Sequence, residues 1–244
     1  MSRTVCWFSC GAASAVATWL TLPTAPEAVI AYCGTGAEHP DNDRFLADCA
    51  RWFDRPVLTL ASDTYRDTWD VYEQTRYLVG VAGARCSTEL KKLPRRAFQQ
   101  LDDVQVFGFT VEETARAARF QANNPEVRLS CPLIDRRLRK VDCFAVLDTA
   151  GIARPVMYDL GYRNNNCIGC VKGQAGYWNK IRQDFPATFA RMAVLERRLD
   201  VAICKTEVGD GRQRVFLDEL PPDAGRYADL DFTCGLFCGE ASDA

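Results

Sequence analysis

Short apolar runs that alternate with helical sequence constrain the fold of this chain more than any other feature. The first run, residues 4–8, is followed by a turn of small residues at 9–14 and by Ala- and Leu-rich sequence to residue 22. Buried strands that alternate with helices in this way form a parallel sheet. We therefore predict an α/β fold, an open parallel sheet with helices on both faces and a cysteine-containing C-terminal segment. The other apolar runs are residues 28–33, 56–60 and 104–109.

The turn at residues 9–14 is suited to holding an anion. Gly11 and its small neighbours let backbone N–H groups approach a phosphate, and the N-terminus of the following helix adds a favourable dipole. The hydroxyl groups of Ser9 and Ser14 add two polar contacts. Small residues here also let a helix pack closely against a strand, which is the alternative explanation. A second turn of small residues, 34–36, ends the next strand and would face the same crevice, which favours a binding site.

Five of the twelve cysteines are spaced like metal ligands. Cys167 and Cys170 enclose Ile-Gly in a loop rich in Asn and Gly, and Cys86 lies upstream. Cys234 and Cys238 lie near the end of the sequence. Two thiolates with two residues between them, as in Cys167 and Cys170, can bind one metal centre, and two further thiolates complete a four-sulfur site. Burial in a core or oxidation in pairs is the alternative, and burial is the interpretation that we prefer for the cysteines in apolar runs.

Composition limits the classes of function. The 244 residues are 48% apolar, enough for one large domain, and their formal net charge of −2 gives no overall attraction to nucleic acid. Two basic runs, residues 91–96 and 136–140, are suited to phosphate contacts or to a solvated surface. The sequence has no secretory signal and no run as long as a membrane span, so we expect a cytoplasmic protein with reduced thiols and no membrane partner. His39 is the only histidine, which excludes a site with two imidazole ligands.

The character of the sequence changes near residue 142. We predict that residues 1–141 form a nucleotide-binding α/β domain. Residues 142–244 are predicted to form a helical and irregular region that carries the cysteine loop and packs on the same domain. Within it, residues 144–150 read as helical, and four apolar residues at helical spacing indicate a buried helix face. These four are Phe185, Phe189, Met192 and Leu195.

Several segments together resemble the adenine nucleotide alpha-hydrolase superfamily. Residues 9–14 resemble its pyrophosphate-binding loop, and residues 34–40 and 108–116 fall where the phosphoadenosine phosphosulfate (PAPS) reductase branch carries its later nucleotide-site motifs. Residues 86–94 and the Cys-Ile-Gly-Cys step resemble the iron–sulfur elements of that branch. The order of the motifs is most similar to that of the compact PAPS-reductase-like proteins found in phage and prophage genomes.

This resemblance implies a Rossmann-like domain that binds PAPS, adenosine 5′-phosphosulfate (APS) or ATP. It places the adenine near Tyr32 and a [4Fe–4S] cluster beside the crevice, with zinc as the second choice of metal. The residues that it places at the nucleotide are Ser9, Cys10, Gly11, Ala12, Ser14, Tyr32, Gly34, Thr35, Gly36, His39, Gly108, Thr110 and Glu113.

Three departures from the family pattern bear on the chemistry. Ala13 stands where ATP pyrophosphatases of the superfamily usually carry an acidic residue, and Cys86 is single where cluster-binding reductases usually present adjacent cysteines. The reductases end in Glu-Cys-Gly-Leu-His, whereas residues 233–238 read Thr-Cys-Gly-Leu-Phe-Cys. Five thiols thus compete for four ligand positions. We expect Cys86, Cys167, Cys170 and Cys238 to bind the cluster and Cys234 to act as the nucleophile, while the exchange of Cys234 and Cys238 stays open.

The first hypothesis for the function is reductive sulfur chemistry on an adenylyl-sulfate-like nucleotide. In it Cys234 attacks the sulfur and a thioredoxin-like donor then releases sulfite. Lys91 and Arg116 neutralise the sulfate and phosphate oxygens. The alternative for these two cations is a solvated surface, where Arg116 forms an i,i+4 pair with Glu112.

Two other hypotheses come from different classes. In the second, ATP activates a base or a phosphate of a nucleic acid, and sulfur arrives through an open iron of the cluster. The missing acid at Ala13 and the acidic balance of the chain oppose it. In the third, the chain senses a nucleotide or a cluster without catalysis. Activity toward adenylyl sulfates, hydrolysis of ATP, or neither activity distinguishes the three.

Overall fold

A five-stranded parallel sheet forms the centre of the molecule. The computed structural model describes residues 2–80, 83–208 and 211–229. Every neighbouring pair of strands in the sheet is parallel, which confirms the predicted fold class. The strands lie in the order β3-β2-β1-β4-β5 and span Thr4–Trp7 (β1), Val29–Cys33 (β2), Val57–Leu60 (β3), Val104–Val106 (β4) and Arg128–Ser130 (β5).

Eight helices of at least six residues accompany the sheet in the described part of the chain. Short helical segments join them, among them a π-helix at Thr88–Lys92 and single turns at Arg85–Ser87, Pro132–Asp135 and Val156–Asp159. Three 3-10 turns span Val111–Glu113, Leu217–Glu219 and Tyr227–Asp229. Two antiparallel strand pairs are also described: Val79–Gly80 pairs with Gly83–Ala84, and Cys204–Val208 pairs with Gly211–Val215. The longer helices are Ala12–Thr21 (α1), Asp41–Phe53 (α2), Thr68–Thr75 (α3), Leu93–Phe98 (α4), Thr114–Asn123 (α5), Lys140–Thr149 (α6), Ala175–Asp184 (α7) and Pro186–Leu199 (α8).

Both faces of the sheet are covered. Cys6 and Ile30 point into a core with α1, α2 and α6, whereas Val5 and Ala31 point into a second core with α5. These four strand residues are at most 1% exposed. Burial on both faces explains why the strands read as continuous apolar runs rather than as alternating ones.

A third core lies among α3, α7, α8 and the segments that join them. Tyr72, Leu90, Trp178 and Met192 belong to it, and so does Cys170 of the cysteine loop. The described helices include none with both the length and the apolar character that crossing a bilayer requires.

The order of the strands determines where a ligand site can form. After β2 and β3 the chain passes back across β1 and adds β4 on its other side. The loops that follow β1 and β4 therefore run in opposite directions, which opens a crevice at the carboxyl ends of these two strands.

Candidate functional site

A cleft opens at this crevice. Its space is about 970 Å³ including the solvent at its mouth. The turn after β1, the ends of β2 and β4, and residues 164–167 of the cysteine loop form its walls. Of the residues predicted from sequence, those that line it are Ser9, Gly11, Ser14, Tyr32, Lys91, Gly108, Glu113, Arg116 and Cys167.

The hydroxyl group of Ser14 organises the turn after β1. It accepts the backbone N–H of Ser9 at 3.0 Å and that of Gly11 at 3.4 Å, and it donates to the carbonyl of Gly11 at 2.9 Å. The Ser9 hydroxyl lies 3.1 Å from the same oxygen. Backbone donors that converge on one oxygen atom form the kind of cradle that holds a phosphate oxygen.

Cys10 and Ala12 contribute through the backbone rather than through side chains. Cys10 has a left-handed φ of 54°, its side chain is buried among the core residues beneath the turn, and burial raises the pKa of its thiol. The carbonyl of Cys10 accepts a hydrogen bond from Nδ2 of Asn165 at 2.6 Å. The N–H of Ala12 donates to the hydroxyl of Tyr158 at 3.3 Å.

Tyr158 and Asn165 connect the turn after β1 to the cysteine loop. Burial raises the pKa of Tyr158 to about 12, while hydrogen bonds from the backbone of Ala12 and Asn165 lower it. Asn165 also donates to Oδ1 of Asn42 at 2.8 Å. Sequence reasoning missed these contacts, because they join residues more than 120 positions apart. The only local signal was the run of three Asn residues before Cys167.

The second turn, 34–36, is built around Glu38 rather than around the cleft. The carboxylate of Glu38 accepts the N–H of Thr35 at 3.0 Å and its hydroxyl at 2.6 Å. Gly36 has a φ of 66°, and a Cβ there would lie 2.7 Å from Cβ of Asp67. Residues 34–36 do not line the cleft, whereas Glu38 does.

His39 serves the following helix. Its Nδ1 accepts the N–H of Asp41, the first residue of α2, at 3.1 Å. Its ring lies 6.0 Å from that of Phe185, and His39 is not among the residues that line the cleft.

The turn after β4 places an ion pair at the cleft. Glu113 accepts the N–H of Thr110 at 3.2 Å, and its other oxygen pairs with Arg116 at 2.6 Å. Arg116 thus pairs with Glu113 and not with Glu112, the partner that the i,i+4 spacing predicts. The carboxylate of Glu112 instead lies 3.3 Å from the N–H of Lys140, at the start of α6.

Lys91 reaches the cleft from the π-helix that follows Cys86. π-Helices are rare and occur often at functional sites. The carbonyl of Lys91 lies 3.9 Å from Sγ of Cys33, another residue of the cleft. Burial raises the pKa of Cys33 to about 11, although the positive charge of Lys91 opposes this.

Cys86 and Cys170, two of the predicted sulfur ligands, belong to the third core together with Tyr72. Tyr72 donates to Sγ of Cys86 at 3.3 Å. Burial raises the pKa of Tyr72 well above its ordinary value, and the charges of Cys86, Cys170 and Cys167 raise it further. Cys167 also lies 2.9 Å from the hydroxyl of Thr35.

The metal site itself stays a prediction. In the described ranges, no three Cys, His, Asp or Glu side chains are placed so that they could hold a metal ion. Cys234 and Cys238, between which the fourth ligand and the nucleophile were left open, lie outside the described residues.

Tyr177 fixes the backbone of the cysteine loop. Its hydroxyl accepts the N–H groups of Gly169 and Cys170, each at 3.0 Å, and donates to the carbonyl of Cys167 at 3.0 Å. A Cβ at Gly173 would lie 2.0 Å from the Tyr177 ring, so the loop is packed closely around this side chain.

A solved structure of a PAPS reductase has a similar fold. It is the phosphate complex of the enzyme from Candida auris, with a TM-score of 0.52 and 11% sequence identity. The similarity covers 68% of this chain and 82% of that one. No protein-family model matches the chain, and no curated protein matches its sequence. The PAPS-reductase-like fold implied by the sequence motifs is thus confirmed, and the phage type stays a prediction.

Proposed function

We propose that this protein is an enzyme that binds an adenylyl-sulfate-like nucleotide in the cleft and reduces its sulfur. The observation that carries the proposal is that one cleft of a PAPS-reductase-like fold combines the Ser14 cradle with the cysteine loop. Phosphates would lie at the turn after β1, with the adenine toward Tyr32. Lys91 and Arg116, both in the cleft, would then neutralise the oxygens of the sulfate and phosphate groups.

The reaction follows from thiol chemistry. The thiolate of Cys234 attacks the sulfur, the bond from sulfur to the phosphate oxygen breaks, and the nucleotide leaves with the electron pair. A dithiol donor of the thioredoxin class then attacks Sγ of Cys234 and releases sulfite. Its second thiol resolves the mixed disulfide, so that the donor supplies the two electrons.

For the cysteine loop, we propose an iron–sulfur cluster on Cys86, Cys167, Cys170 and one of the two C-terminal cysteines. Cys86 and Cys170 lie in one buried core with Tyr72, and Cys167 belongs to the same loop as Cys170, which supports this set. Such a cluster would supply a redox-active centre and polarisable sulfur beside the nucleotide. An absorption spectrum of anaerobically purified protein tests it, because zinc would leave the visible range empty.

The test of the proposed function is turnover. Anaerobically purified protein is incubated with APS, PAPS or ATP and a thioredoxin-like donor, and sulfite and the released nucleotide are measured. Sulfite from APS or PAPS supports the proposal, and its loss in Cys234→Ala but not in Cys131→Ala assigns the nucleophile. Hydrolysis of ATP without consumption of either sulfate ester contradicts it.

A second candidate function is the thiolation of a nucleic acid with ATP. One observation favours it: a second cleft, with basic and aromatic residues, opens beside the nucleotide cleft. Sulfur transfer to an oligonucleotide in the presence of ATP, without release of sulfite from APS or PAPS, would favour this candidate over reduction.

A further inference from the structure

The second cleft shares a wall with the nucleotide cleft. Glu113, Lys140, Tyr158 and Asn164 line both of them. The space of the second cleft is about 1080 Å³ including its mouth, far more than a sulfate or a single phosphate group fills. A ligand in it would therefore lie directly beside a nucleotide in the first cleft.

The lining of the second cleft carries a small excess of positive charge, because three cations accompany the carboxylates of Glu112 and Glu113. Residues 136–163 contain six Arg and Lys residues and three Asp residues, whereas the whole chain has a net charge of −2. Lys140, Arg154 and Arg163 line the cleft itself.

Aromatic rings and a guanidinium plane accompany these charges. The rings of Phe144 and Tyr158 meet edge to face at 4.9 Å, and the guanidinium of Arg154 lies over the Phe144 ring at 5.4 Å. Arg154 also pairs with Asp159 at 2.7 Å, which holds it in this position. Bases of single strands stack on such rings and guanidinium planes, while cations follow the phosphates.

Lys140 fixes the wall between the two clefts. Its Nζ donates to the carbonyl of Arg163 at 2.9 Å and to Oδ1 of Asn164 at 2.5 Å. The wall thus ends in the residues that precede Cys167, so a ligand in either cleft touches the cysteine loop.

We propose that the second cleft binds a single strand of nucleic acid, with a base against Phe144 and Arg154 and a phosphate at Arg163. The inference deepens the second candidate function. The role of the strand as the acceptor of sulfur rests on that function, whereas the binding of the strand does not. The shared wall would place one nucleotide of the strand beside the nucleotide in the first cleft.

The test is the binding of fluorescently labelled single-stranded oligonucleotides, followed by anisotropy at several salt concentrations. Arg154→Glu is expected to lower the affinity about tenfold or more, because a base loses its stacking partner and meets a negative charge. Arg66→Glu is the matched control, because Arg66 also pairs with an Asp, at 3.7 Å, but lies outside both clefts. It is expected to leave the affinity unchanged.

Two results would overturn the proposal. One is an equal affinity of the wild type and Arg154→Glu for the strand, and the other is an equal affinity of the wild type for a mononucleotide and for the strand. Calorimetry with APS on the same proteins keeps the two clefts apart. If the wild type does not bind APS, the adenylyl-sulfate function is refuted and the strand site is not. If the wild type binds APS but not the strand, only the strand site is refuted.

Discussion

At the scale of single residues, the hydrogen bonds of Ser14 hold the turn after β1 in its conformation. The Ser14 hydroxyl binds the N–H groups of Ser9 and Gly11 inside the cleft. We predict that Ser14→Ala lowers the affinity for the nucleotide about tenfold, because the turn loses hydrogen bonds of about 1 kcal/mol each that hold its backbone in place. Calorimetric titration measures the change. Ser62→Ala is the control, because the Ser62 hydroxyl also accepts two backbone N–H groups, those of Thr64 and Tyr65, but outside the cleft.

The hydroxyl of Tyr177 has the corresponding role in the cysteine loop. Tyr177→Phe removes three hydrogen bonds and leaves the buried N–H groups of Gly169 and Cys170 without this acceptor. The expected loss is about 1–3 kcal/mol in the free energy of unfolding, measured with urea. Tyr65→Phe, whose half-buried ring packs on the same core, is the control. Equal stability of the two variants would show that the hydroxyl does not hold the loop.

At the scale of elements, Gly108 sets the distance between the end of β4 and α1. A Cβ at this position would lie 2.6 Å from the backbone nitrogen of Ser14. Gly108→Ala is therefore expected to force the strand and the helix apart, at a cost of about 1–3 kcal/mol. Gly34→Ala is the matched substitution, because a Cβ there meets Tyr32 at an ordinary 3.4 Å. Thermal unfolding of both variants measures this cost. A lower unfolding temperature for Gly34→Ala than for Gly108→Ala would contradict the account.

Glu196 ties α8 to the segments that follow it and predicts a dependence on pH. Its oxygens accept the N–H groups of Ile203 at 2.7 Å and Leu217 at 2.6 Å. Burial raises the pKa of Glu196 to about 7, although the two hydrogen bonds oppose this. Between the ordinary pKa near 4.5 and pH 7, Glu196 has released its proton in the unfolded chain but keeps it in the folded one. The contribution of Glu196 to the free energy of unfolding therefore falls as the pH rises through this range.

Urea unfolding of the wild type and Glu196→Gln at pH 5 and pH 8 measures this contribution. The wild type is expected to lose about 1–3 kcal/mol relative to the variant over that range. A difference between the two proteins that stays constant with pH would show that Glu196 titrates normally.

The elements that the sequence predicts are those with local signals. Helix α2, Asp41–Phe53, has such a signal, because Phe45, Cys49 and Phe53 recur at helical spacing and are buried. Strand β5, Arg128–Ser130, was missed because its three residues include one apolar side chain and carry no periodicity. The contacts of Tyr158 and Asn165 were missed because they depend on how distant segments pack.

At the scale of the whole molecule, the topology extends the predicted crevice across β1 to the end of β4. The sequence predicts a site between the turns after β1 and β2, and these turns do lie at the same edge because the two strands are parallel neighbours. The cleft reaches the end of β2 at Tyr32 and Cys33, and it also extends across β1 to Gly108 and Phe109. The strand order places β4 beside β1, and this order cannot be read from the sequence pattern of each strand alone.

Binding of a sulfate ester of adenosine tests the central claim most directly. The measurement is calorimetric titration of anaerobic protein with APS and PAPS, with the wild type beside Gly11→Leu. A Cβ at Gly11 already lies 3.3 Å from the Tyr158 hydroxyl, so a leucine would fill the space where a phosphate approaches. The account predicts saturable binding by the wild type and none by a Gly11→Leu protein with unchanged circular dichroism. Equal affinities of the two proteins would contradict it.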